Sequence, residues 1–333
     1  MNITIVGAGA WGTALAINLA ARHPVVLWAR DAGQVAQIAA NRINQRYLPE
    51  FSLPLSVSVQ ADLHAALATA ELILVVTPTA AFRSLLRTIA ACAPGIPLLW
   101  ACKGLEANTA KLLHQVAQEE LESDIPFGVL SGPSFAQEVA AGLPTALTLA
   151  SPDHTFAADS AAQLHSPRLR IYTCDDLIGV EVGGAVKNVM AIAAGISDEM
   201  GYGYNARAAL ITRGLSEITR LGIALGGRQE TFMGLTGMGD LILTCTSDLS
   251  RNRMVGQKLA QGLSLEKILR ELGHTAEGVI SAREVHRLAR NLNVEMPITH
   301  AVCRVLYDGL PAKDAVAGLL NREPKAENIE RDG

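Results

Sequence analysis

The chain has 333 residues, of which 49% are hydrophobic and 18% charged, and its formal net charge is −4. This composition can fill a sizeable core and excludes wholesale disorder, and the length suggests about two domains. The charges form no block of one sign and aromatic residues make up only 4%, so no nucleic-acid partner is expected.

The five cysteines are widely spaced and form no Cys-x-x-Cys pair, so neither a disulfide scaffold nor a structural zinc site is expected. Reduced thiols fit a cytoplasmic protein. Glycines 7, 9 and 12 interrupt the uncharged N-terminal stretch, where a signal peptide needs an unbroken apolar run after a basic residue. No later stretch reaches about 18 uninterrupted apolar residues, so no membrane span is predicted.

Strand-like and helix-like segments alternate in the first half of the chain. Short β-branched or apolar runs predict strands over 3–6, 25–28, 72–76, 98–101 and 128–130, with outer strands over 144–149 and 168–172. A segment rich in Ala and Leu predicts a helix over 11–21, and a second helix is predicted over 32–41. Such alternation predicts βαβ units, and therefore a mainly parallel sheet with helices on both faces.

The second half is predicted to be helical. Periodic apolar residues indicate helices over 180–197, 205–221, 253–261, 265–272, 279–291 and 298–307. Ser264 is a plausible N-cap, and Pro297 and Pro311 stand where helices start. We place the boundary near residue 180, which gives a dinucleotide-binding domain over 1–180 and a helical substrate-binding and catalytic domain over 181–333.

A Gly-x-Gly-x-x-Gly motif directly follows the first predicted strand and opens the first helix. In this context Gly7 permits the tight turn, Gly9 lets a pyrophosphate approach the backbone, and Gly12 lets the helix pack on the strand. The free N–H groups of the helix then face the phosphates. The competing interpretation is an ordinary glycine-rich turn.

The end of the second strand bears on the choice of cofactor. NAD-selective sites usually carry an acidic residue there for the ribose 2′-hydroxyl, whereas this chain has Ala29 and Arg30. Arg30 suits a 2′-phosphate, so NADP(H) is favoured. NAD(H) remains the alternative cofactor. In that case Arg30 would be a solvated loop residue, and Asp31 would bind the ribose 2′-hydroxyl.

Three charges are isolated in apolar or glycine-rich surroundings. Lys187 is the only charge between Glu181 and Asp198, and burial would lower the pKa of such a lysine toward the range that acid/base catalysis needs. Lys103 follows the end of a strand, where open parallel sheets bind ligands. Asp240 needs a partner because an unpaired buried charge is costly, and Lys187 is the economical choice. The alternative is that each is a snorkelling or surface side chain.

Two further segments suit an anion. Ser250 could cap a helix that begins with Arg251 and Asn252, and Arg251 could bind a phosphate. Arg253 competes for that role but is expected to be solvated. Residues 131–134 read Ser-Gly-Pro-Ser and offer two hydroxyls and a glycine for close approach. No His pair has metal-ligand spacing and no nucleophile-elbow motif is present, so no metal is predicted.

These segments together resemble the bacterial NAD(P)-dependent glycerol-3-phosphate dehydrogenase family along nearly the whole chain. The resemblance rests on residues 7–16 (GAGAWGTALA), 102–106 (CKGLE), 131–136 (SGPSFA), 184–188 (GAVKN), 237–241 (GMGDL), 244–247 (TCTS) and 250–252 (SRN). The lysine motif and the motif from Asp240 to Asn252 are quite specific, whereas many dehydrogenases share the glycine loop.

The resemblance implies reversible reduction of dihydroxyacetone phosphate to sn-glycerol 3-phosphate for phospholipid synthesis, with Lys187 as the acid/base and Asp240 beside it. Implied substrate contacts are Lys103, Gly132, Ser134, Asp240, Ser250, Arg251 and Asn252. Implied cofactor contacts, besides the three loop glycines, are Ala10, Trp11, Arg30, Lys103, Ala136, Arg251 and Glu277. The implied fold is a Rossmann-like domain followed by an all-helical domain similar to the C-terminal domain of 6-phosphogluconate dehydrogenase.

Two other functions stay open. A reductase of a small hydroxy acid, of the β-hydroxyacid or ketopantoate type, would share the glycine loop and a helical-domain lysine but would not need residues 250–252. A non-catalytic dinucleotide sensor would bind NADPH without turnover. The expected partner is a small-molecule substrate, and a homodimer is left open.

Overall fold

Eight strands form one sheet within residues 1–272 and 276–323, the part of the chain that the computed structural model describes. The strands of this sheet are β1 Ile3–Val6, β2 Val25–Trp28, β5 Val57–Gln60, β6 Leu72–Val75, β7 Leu98–Trp100, β8 Phe127–Ser131, β9 Thr145–Ala150 and β10 Leu169–Cys174, and a separate hairpin consists of β3 Ile43–Asn44 and β4 Leu48–Ser52. The sheet order is β10-β9-β8-β7-β6-β1-β2-β5. All neighbours are parallel except β8 and β9, which confirms the predicted mainly parallel sheet.

The strand predictions are confirmed, with shifts of one or two residues at several ends. The β3–β4 hairpin and the edge strand β5 were missed. The β5 sequence, Val-Ser-Val-Gln, is only four residues long, and it lies at the sheet edge, paired with β2 alone. Only two of its residues are apolar, which is too little signal to separate a strand from a loop.

Helices cover both faces of the sheet and then form the second half of the chain. The first seven are α1 Ala10–Leu19, α2 Ala32–Asn41, α3 Leu63–Leu67, α4 Phe82–Cys92, α5 Leu113–Glu120, α6 Ala136–Ala140 and α7 His154–Leu164. The others are α8 Leu177–Glu199, α9 Gly203–Ala224, α10 Gln229–Phe232, α11 Asp240–Thr246, α12 Arg251–Ala260, α13 Leu265–Leu272, α14 Glu277–Asn291, α15 Pro297–Tyr307 and α16 Ala312–Leu320. The six helices predicted for this half are all present, and Pro297 opens α15 as expected.

The helix α8 is the central element of the helical half. It is long and apolar enough to cross a membrane by length and composition, but 94% of its most apolar window is buried inside the protein, as in a core helix. Its backbone touches that of α12: a Cβ on Gly195 would overlap the Arg253 carbonyl oxygen, and one on Gly256 would overlap that of Ile192. Glycines at these two positions therefore permit the close approach of the helices.

A buried carboxylate attaches α8 to the sheet. Glu181 accepts a hydrogen bond from the Trp100 indole at 3.1 Å and another from the backbone N–H of His114 at 3.0 Å. These bonds fix the position of α8 relative to β7, and the chain continues from the carboxyl end of β7 to Lys103. The predicted boundary at residue 180 falls just inside α8, and residues 324–333 of the predicted second domain lie outside the described residues.

Candidate active site

The glycine loop follows β1 at the carboxyl edge of the sheet. Gly7 has φ +128°, and a Cβ there would lie 2.5 Å from the Val76 carbonyl oxygen. A Cβ on Gly12 would overlap the Gly7 carbonyl oxygen. Gly9 differs, because a Cβ there would have no heavy atom within 4 Å. The first and third glycines therefore serve the fold, whereas Gly9 borders open space.

The N-terminus of α1 faces the same space. The first backbone bond of the helix runs from the Thr13 N–H to the Gly9 carbonyl at 3.0 Å, so the N–H groups of Ala10, Trp11 and Gly12 precede it. Gly9, the N-cap, has no side chain with which to cap them. A helix N-terminus with free N–H groups and room above it suits a pyrophosphate.

The carboxylate that follows β2 caps the next helix. Ala29 is buried, Arg30 is exposed, and the Asp31 carboxylate accepts hydrogen bonds from Gly33 N–H at 2.9 Å and Gln34 N–H at 3.2 Å as the N-cap of α2. Asp31 therefore caps α2 through Oδ1, the oxygen that accepts both bonds.

Two lysines share one buried aspartate at the junction between the sheet and the helical half. Asp240 is 1% exposed and Lys187 is 7% exposed. Lys187 Nζ donates to Asp240 Oδ1 and, at 2.9 Å, to Thr244 Oγ1. Lys103 Nζ donates to Asp240 Oδ2 at 2.6 Å and to the Gly132 carbonyl at 3.0 Å. The predicted Lys187–Asp240 pair is therefore confirmed, and the surface alternative is wrong for these two residues.

The cluster has two ammonium groups for one carboxylate, which creates a local excess of positive charge. Burial lowers the pKa of Lys187 to about 7, the nearby Lys103 contributes to the lowering, and Asp240 opposes the shift. A lysine with this pKa can give and take a proton near neutral pH. The geometry therefore suits proton transfer to an oxygen atom that gains negative charge.

An unusual backbone turn delivers Asp240 to the lysines. Residues Leu235–Gly239 form a π-helical turn directly before α11, of which Asp240 is the first residue. A Cβ on Gly237 would overlap the Phe232 carbonyl oxygen, and one on Gly183 would come within 2.7 Å of the Thr236 carbonyl oxygen. The turn and α8 therefore approach closely, which brings Asp240 within reach of Lys187. Such turns are frequent at functional sites.

The predicted anion-binding segment opens α12 close to Lys187, through a contact between Asn252 and Asn188. Ser250 caps the helix, since its Oγ accepts from the Arg253 N–H at 3.3 Å. The Asn252 side chain donates to Asn188 Oδ1 at 2.9 Å and accepts from the Gly278 N–H at 3.0 Å. Asn252 therefore joins α12 to α14 through Gly278 and to α8 through Asn188. Asn188 directly follows Lys187 in the chain. The Arg251 side chain is exposed.

The expectation of a solvated Arg253 is wrong. This residue is 6% exposed, and its guanidinium bonds Asp198 at 2.7 Å and Asp248 at 2.6 Å. Arg251 is thus the arginine of this segment that stays exposed. The error arose because the sequence does not reveal that Asp198, at the end of α8, lies beside this turn of α12.

The other predicted site residues lie near the lysine cluster or near α1. Gly132 has φ +138°, and a Cβ there would meet the Ala146 carbonyl oxygen at 3.1 Å. The Ser134 hydroxyl donates to the Gly132 carbonyl at 3.0 Å, and Ala136 begins α6. Glu277 begins α14; burial raises the pKa of this carboxyl, and interactions with Thr79 and with the charge of Arg251 oppose the rise.

Sequence reasoning did not single out Thr244 as a contact of Lys187. The hydroxyl of Thr244 donates to the Asp240 backbone carbonyl at 2.6 Å. The signal was available, because residues four apart on a helix share one face. Across the described residues, no group of three His, Cys, Asp or Glu side chains is arranged to hold a metal ion.

Two family models cover most of the chain. The model for the N-terminus of NAD-dependent glycerol-3-phosphate dehydrogenase matches residues 2–157, and the model for its C-terminus matches residues 176–317. The chain belongs to the NAD-dependent glycerol-3-phosphate dehydrogenase family. A relative in this family, the glycerol-3-phosphate dehydrogenase (NAD(P)+) of Nitrosospira multiformis, is 61% identical over 331 residues, covering 98% of this chain and 99% of its own.

Solved structures of the family share the fold. The glycerol-3-phosphate dehydrogenase of Coxiella burnetii is 44% identical and superposes with a TM-score of 0.93 over 96% of this chain and 99% of its own. The enzyme from Saccharomyces cerevisiae is 27% identical, with a TM-score of 0.80 over 95% of this chain and 98% of its own. The fold expected from the family resemblance, a Rossmann-like domain followed by a helical one, is confirmed.

Proposed function

We propose that this protein is a glycerol-3-phosphate dehydrogenase that reversibly reduces dihydroxyacetone phosphate to sn-glycerol 3-phosphate with NAD(P)H. The observation that carries the proposal is the buried Lys187–Asp240–Lys103 cluster at the carboxyl edge of the sheet. Family membership supports the same reaction, and the names of the relatives support the use of both dinucleotides.

Lys187 is the proposed general acid. When bound, the reduced nicotinamide supplies a hydride to the ketone carbon, and negative charge then develops on the ketone oxygen. Lys187 Nζ gives its proton to that oxygen and becomes neutral, and solvent protonates it again before the next turnover. Asp240 and Thr244 hold Nζ in place through the bonds described above. In glycerol 3-phosphate oxidation, neutral Lys187 takes the hydroxyl proton.

The proposed site for the substrate phosphate is the start of α12. The Arg251 guanidinium is exposed and offers two parallel donors, and Asn252 is held by two hydrogen bonds. Binding energy from this remote group orients the carbonyl toward Lys187. Lys103, Gly132, Ser134 and Ser250 complete the proposed substrate contacts.

The proposed cofactor site is the space above the glycine loop. Gly9 and the α1 N-terminus would hold the pyrophosphate, with Ala10 and Trp11 contributing backbone N–H groups. Arg30 would meet the 2′-phosphate, which favours NADP(H) while NAD(H) remains a substrate. Ala136 and Glu277 stand as further proposed contacts, together with Lys103 and Arg251.

Several wider expectations also remain proposals. The product would serve glycerophospholipid synthesis, and the free state of all five cysteines supports a cytoplasmic location. A homodimer is to be tested by light scattering coupled to size-exclusion chromatography. The alternative of a hydroxy-acid reductase predicts turnover of substrates without phosphate, which the exposed guanidinium of Arg251 disfavours.

The deciding experiment follows NADPH and NADH oxidation with dihydroxyacetone phosphate, and with dihydroxyacetone as the control that lacks phosphate. Oxidation that depends on the phosphate is expected. Lys187→Met should abolish turnover while leaving the Kd for NADPH unchanged. Lys258→Met is the matched control, because Lys258 pairs with Glu271 at the surface of the same helical half. Full turnover by Lys187→Met would contradict the assignment, and equal rates with dihydroxyacetone would favour the hydroxy-acid alternative.

A further inference from the structure

The small β3–β4 hairpin inserts one polar side chain behind the glycine loop. Asn44 is 0% exposed. Its Nδ2 donates to the Ala8 carbonyl at 2.9 Å and to Thr13 Oγ1 at 2.8 Å. A buried amide with these partners joins the loop to the first turn of α1.

A second donor reaches the same carbonyl from α2. Gln34 Nε2 donates to the Ala8 oxygen at 2.9 Å, so this oxygen accepts two side-chain bonds. The hairpin itself is anchored: Arg42 donates to the Val57 carbonyl at 2.9 Å, and Leu48 packs in one cluster with Ala14 of α1. Asn44 is therefore held in place on both sides.

The two bonds to the Ala8 carbonyl also orient the peptide group between Ala8 and Gly9. A trans peptide is planar, and its N–H points away from its C=O. Holding the Ala8 carbonyl toward Asn44 therefore aims the Gly9 N–H in the opposite direction. Gly9 is the loop glycine whose Cβ position borders open space. The direction of its N–H depends on Asn44 through the Ala8 carbonyl, and no ligand needs to touch Asn44.

We propose that Asn44 is a positioning residue for dinucleotide binding, which aims the Gly9 N–H at the pyrophosphate through the Ala8 carbonyl. The inference rests on the proposed cofactor site at the glycine loop. A preorganised N–H binds a phosphate more tightly than one that must be oriented during binding. Because NADPH and NADH share the pyrophosphate, Asn44 acts equally on both.

The test uses Asn44→Asp, which keeps the size of the side chain but replaces the donor that Ala8 requires by an acceptor. Gln34→Met removes the second donor from a half-buried position and is the variant to use if Asn44→Asp does not fold. Ser151→Ala is the matched control: it removes another buried bond to backbone in the same domain, from Ser151 Oγ to the Phe127 carbonyl at 2.7 Å.

The Kd of NADPH and of NADH, the KM for dihydroxyacetone phosphate and the Tm are measured for each variant. Asn44→Asp should raise both Kd values equally, by about five- to tenfold, with Gln34→Met smaller in the same direction. The substrate KM at saturating cofactor should stay within about twofold of wild type, and Ser151→Ala should lower the Tm without changing either Kd.

Three results would overturn the proposal: unchanged Kd values for both dinucleotides, a loss confined to NADPH, or a parallel rise in the substrate KM. The second would place Asn44 at the 2′-phosphate, and the third would reduce its role to general stability. The wild-type titration separates this inference from the proposed function. A wild-type protein that binds neither dinucleotide would refute both, whereas a wild-type protein that binds them, with the same Kd values in Asn44→Asp, would overturn the inference alone.

Discussion

The contrast between Gly9 and Gly12 gives the sharpest test of the cofactor site. Gly9 has φ −78° and ψ −175°, a conformation that alanine adopts, and a Cβ on this residue would have no heavy atom within 4 Å. Gly9→Ala should therefore change the free energy of unfolding by less than about 1 kcal/mol. The same methyl group at Gly12 overlaps the Gly7 carbonyl oxygen, and such crowding costs about 1–3 kcal/mol.

Dinucleotide binding should respond in the opposite order. A methyl group on Gly9 stands between the helix N-terminus and the phosphate that is proposed to approach it. Losing one charge-assisted hydrogen bond costs about 1.5–3 kcal/mol, which raises the Kd about tenfold to a hundredfold. The substitution should therefore separate binding from folding.

The assay combines a fluorescence titration with NADPH and a thermal melt. Gly318→Ala is the control, because Gly318 also borders open space but lies on α16. Gly9→Ala should keep the wild-type Tm and lose affinity, whereas Gly12→Ala should lose several degrees of Tm. Wild-type affinity in Gly9→Ala would refute the placement of the pyrophosphate, and a Tm loss equal to that of Gly12→Ala would refute the reasoning about space.

Four further predictions concern single residues. Because Lys187 acts as an acid with a pKa of about 7, kcat/KM for ketone reduction should fall as pH rises through 7, while that for alcohol oxidation rises; two profiles of the same sign would contradict this role. Arg30→Ala should raise the KM for NADPH about tenfold and leave that for NADH unchanged, and an equal effect on both would count against a 2′-phosphate contact. Arg251→Ala should raise the KM for dihydroxyacetone phosphate by about tenfold or more, and an unchanged KM would move the phosphate elsewhere. Burial raises the pKa of Glu217 from 4.5 to about 7. Between these pH values the folded protein keeps a proton on Glu217 that the unfolded chain has lost. The free energy of unfolding should therefore fall as pH rises from 4.5 to 7. Glu217→Gln should remove that slope in denaturant titrations, and an unaltered slope would assign it to another group.

Local signals in the chain were sufficient for the parallel sheet and most of the helices. Each central strand is a short apolar run, and helices such as α4 and α14 carry a 3.6-residue apolar pattern, so packing reinforces the local preference. The β3–β4 hairpin lacks such a signal, because its strands are two and five residues long. Its place is set by Leu48 and Asn44, which pack against elements distant in the chain.

The sequence likewise predicted some features of the candidate site and could not predict others. The isolation of Lys187 and Asp240 in the sequence predicted that these two residues pair, because a lone charge in an apolar segment needs a partner. Lys103 was predicted only to lie at a strand end where ligands bind. The sequence could not say that both lysines bind one carboxylate, since that depends on how the π-helical turn meets α8. Arg253 and Arg251 show the limit most clearly: two arginines, two residues apart, differ completely in burial.

The sequence by itself therefore determined the fold class, the glycine loop and the identity of the charged residues that need partners, because these follow from local pattern and from the cost of burying a charge. Only the tertiary structure decided which arginine is exposed, which residue caps α2, and which side chain holds the Ala8 carbonyl. These outcomes depend on contacts between segments far apart in the chain, such as Asn44 with Ala8 and Arg253 with Asp198. Distant side chains become neighbours only when the elements that carry them have packed.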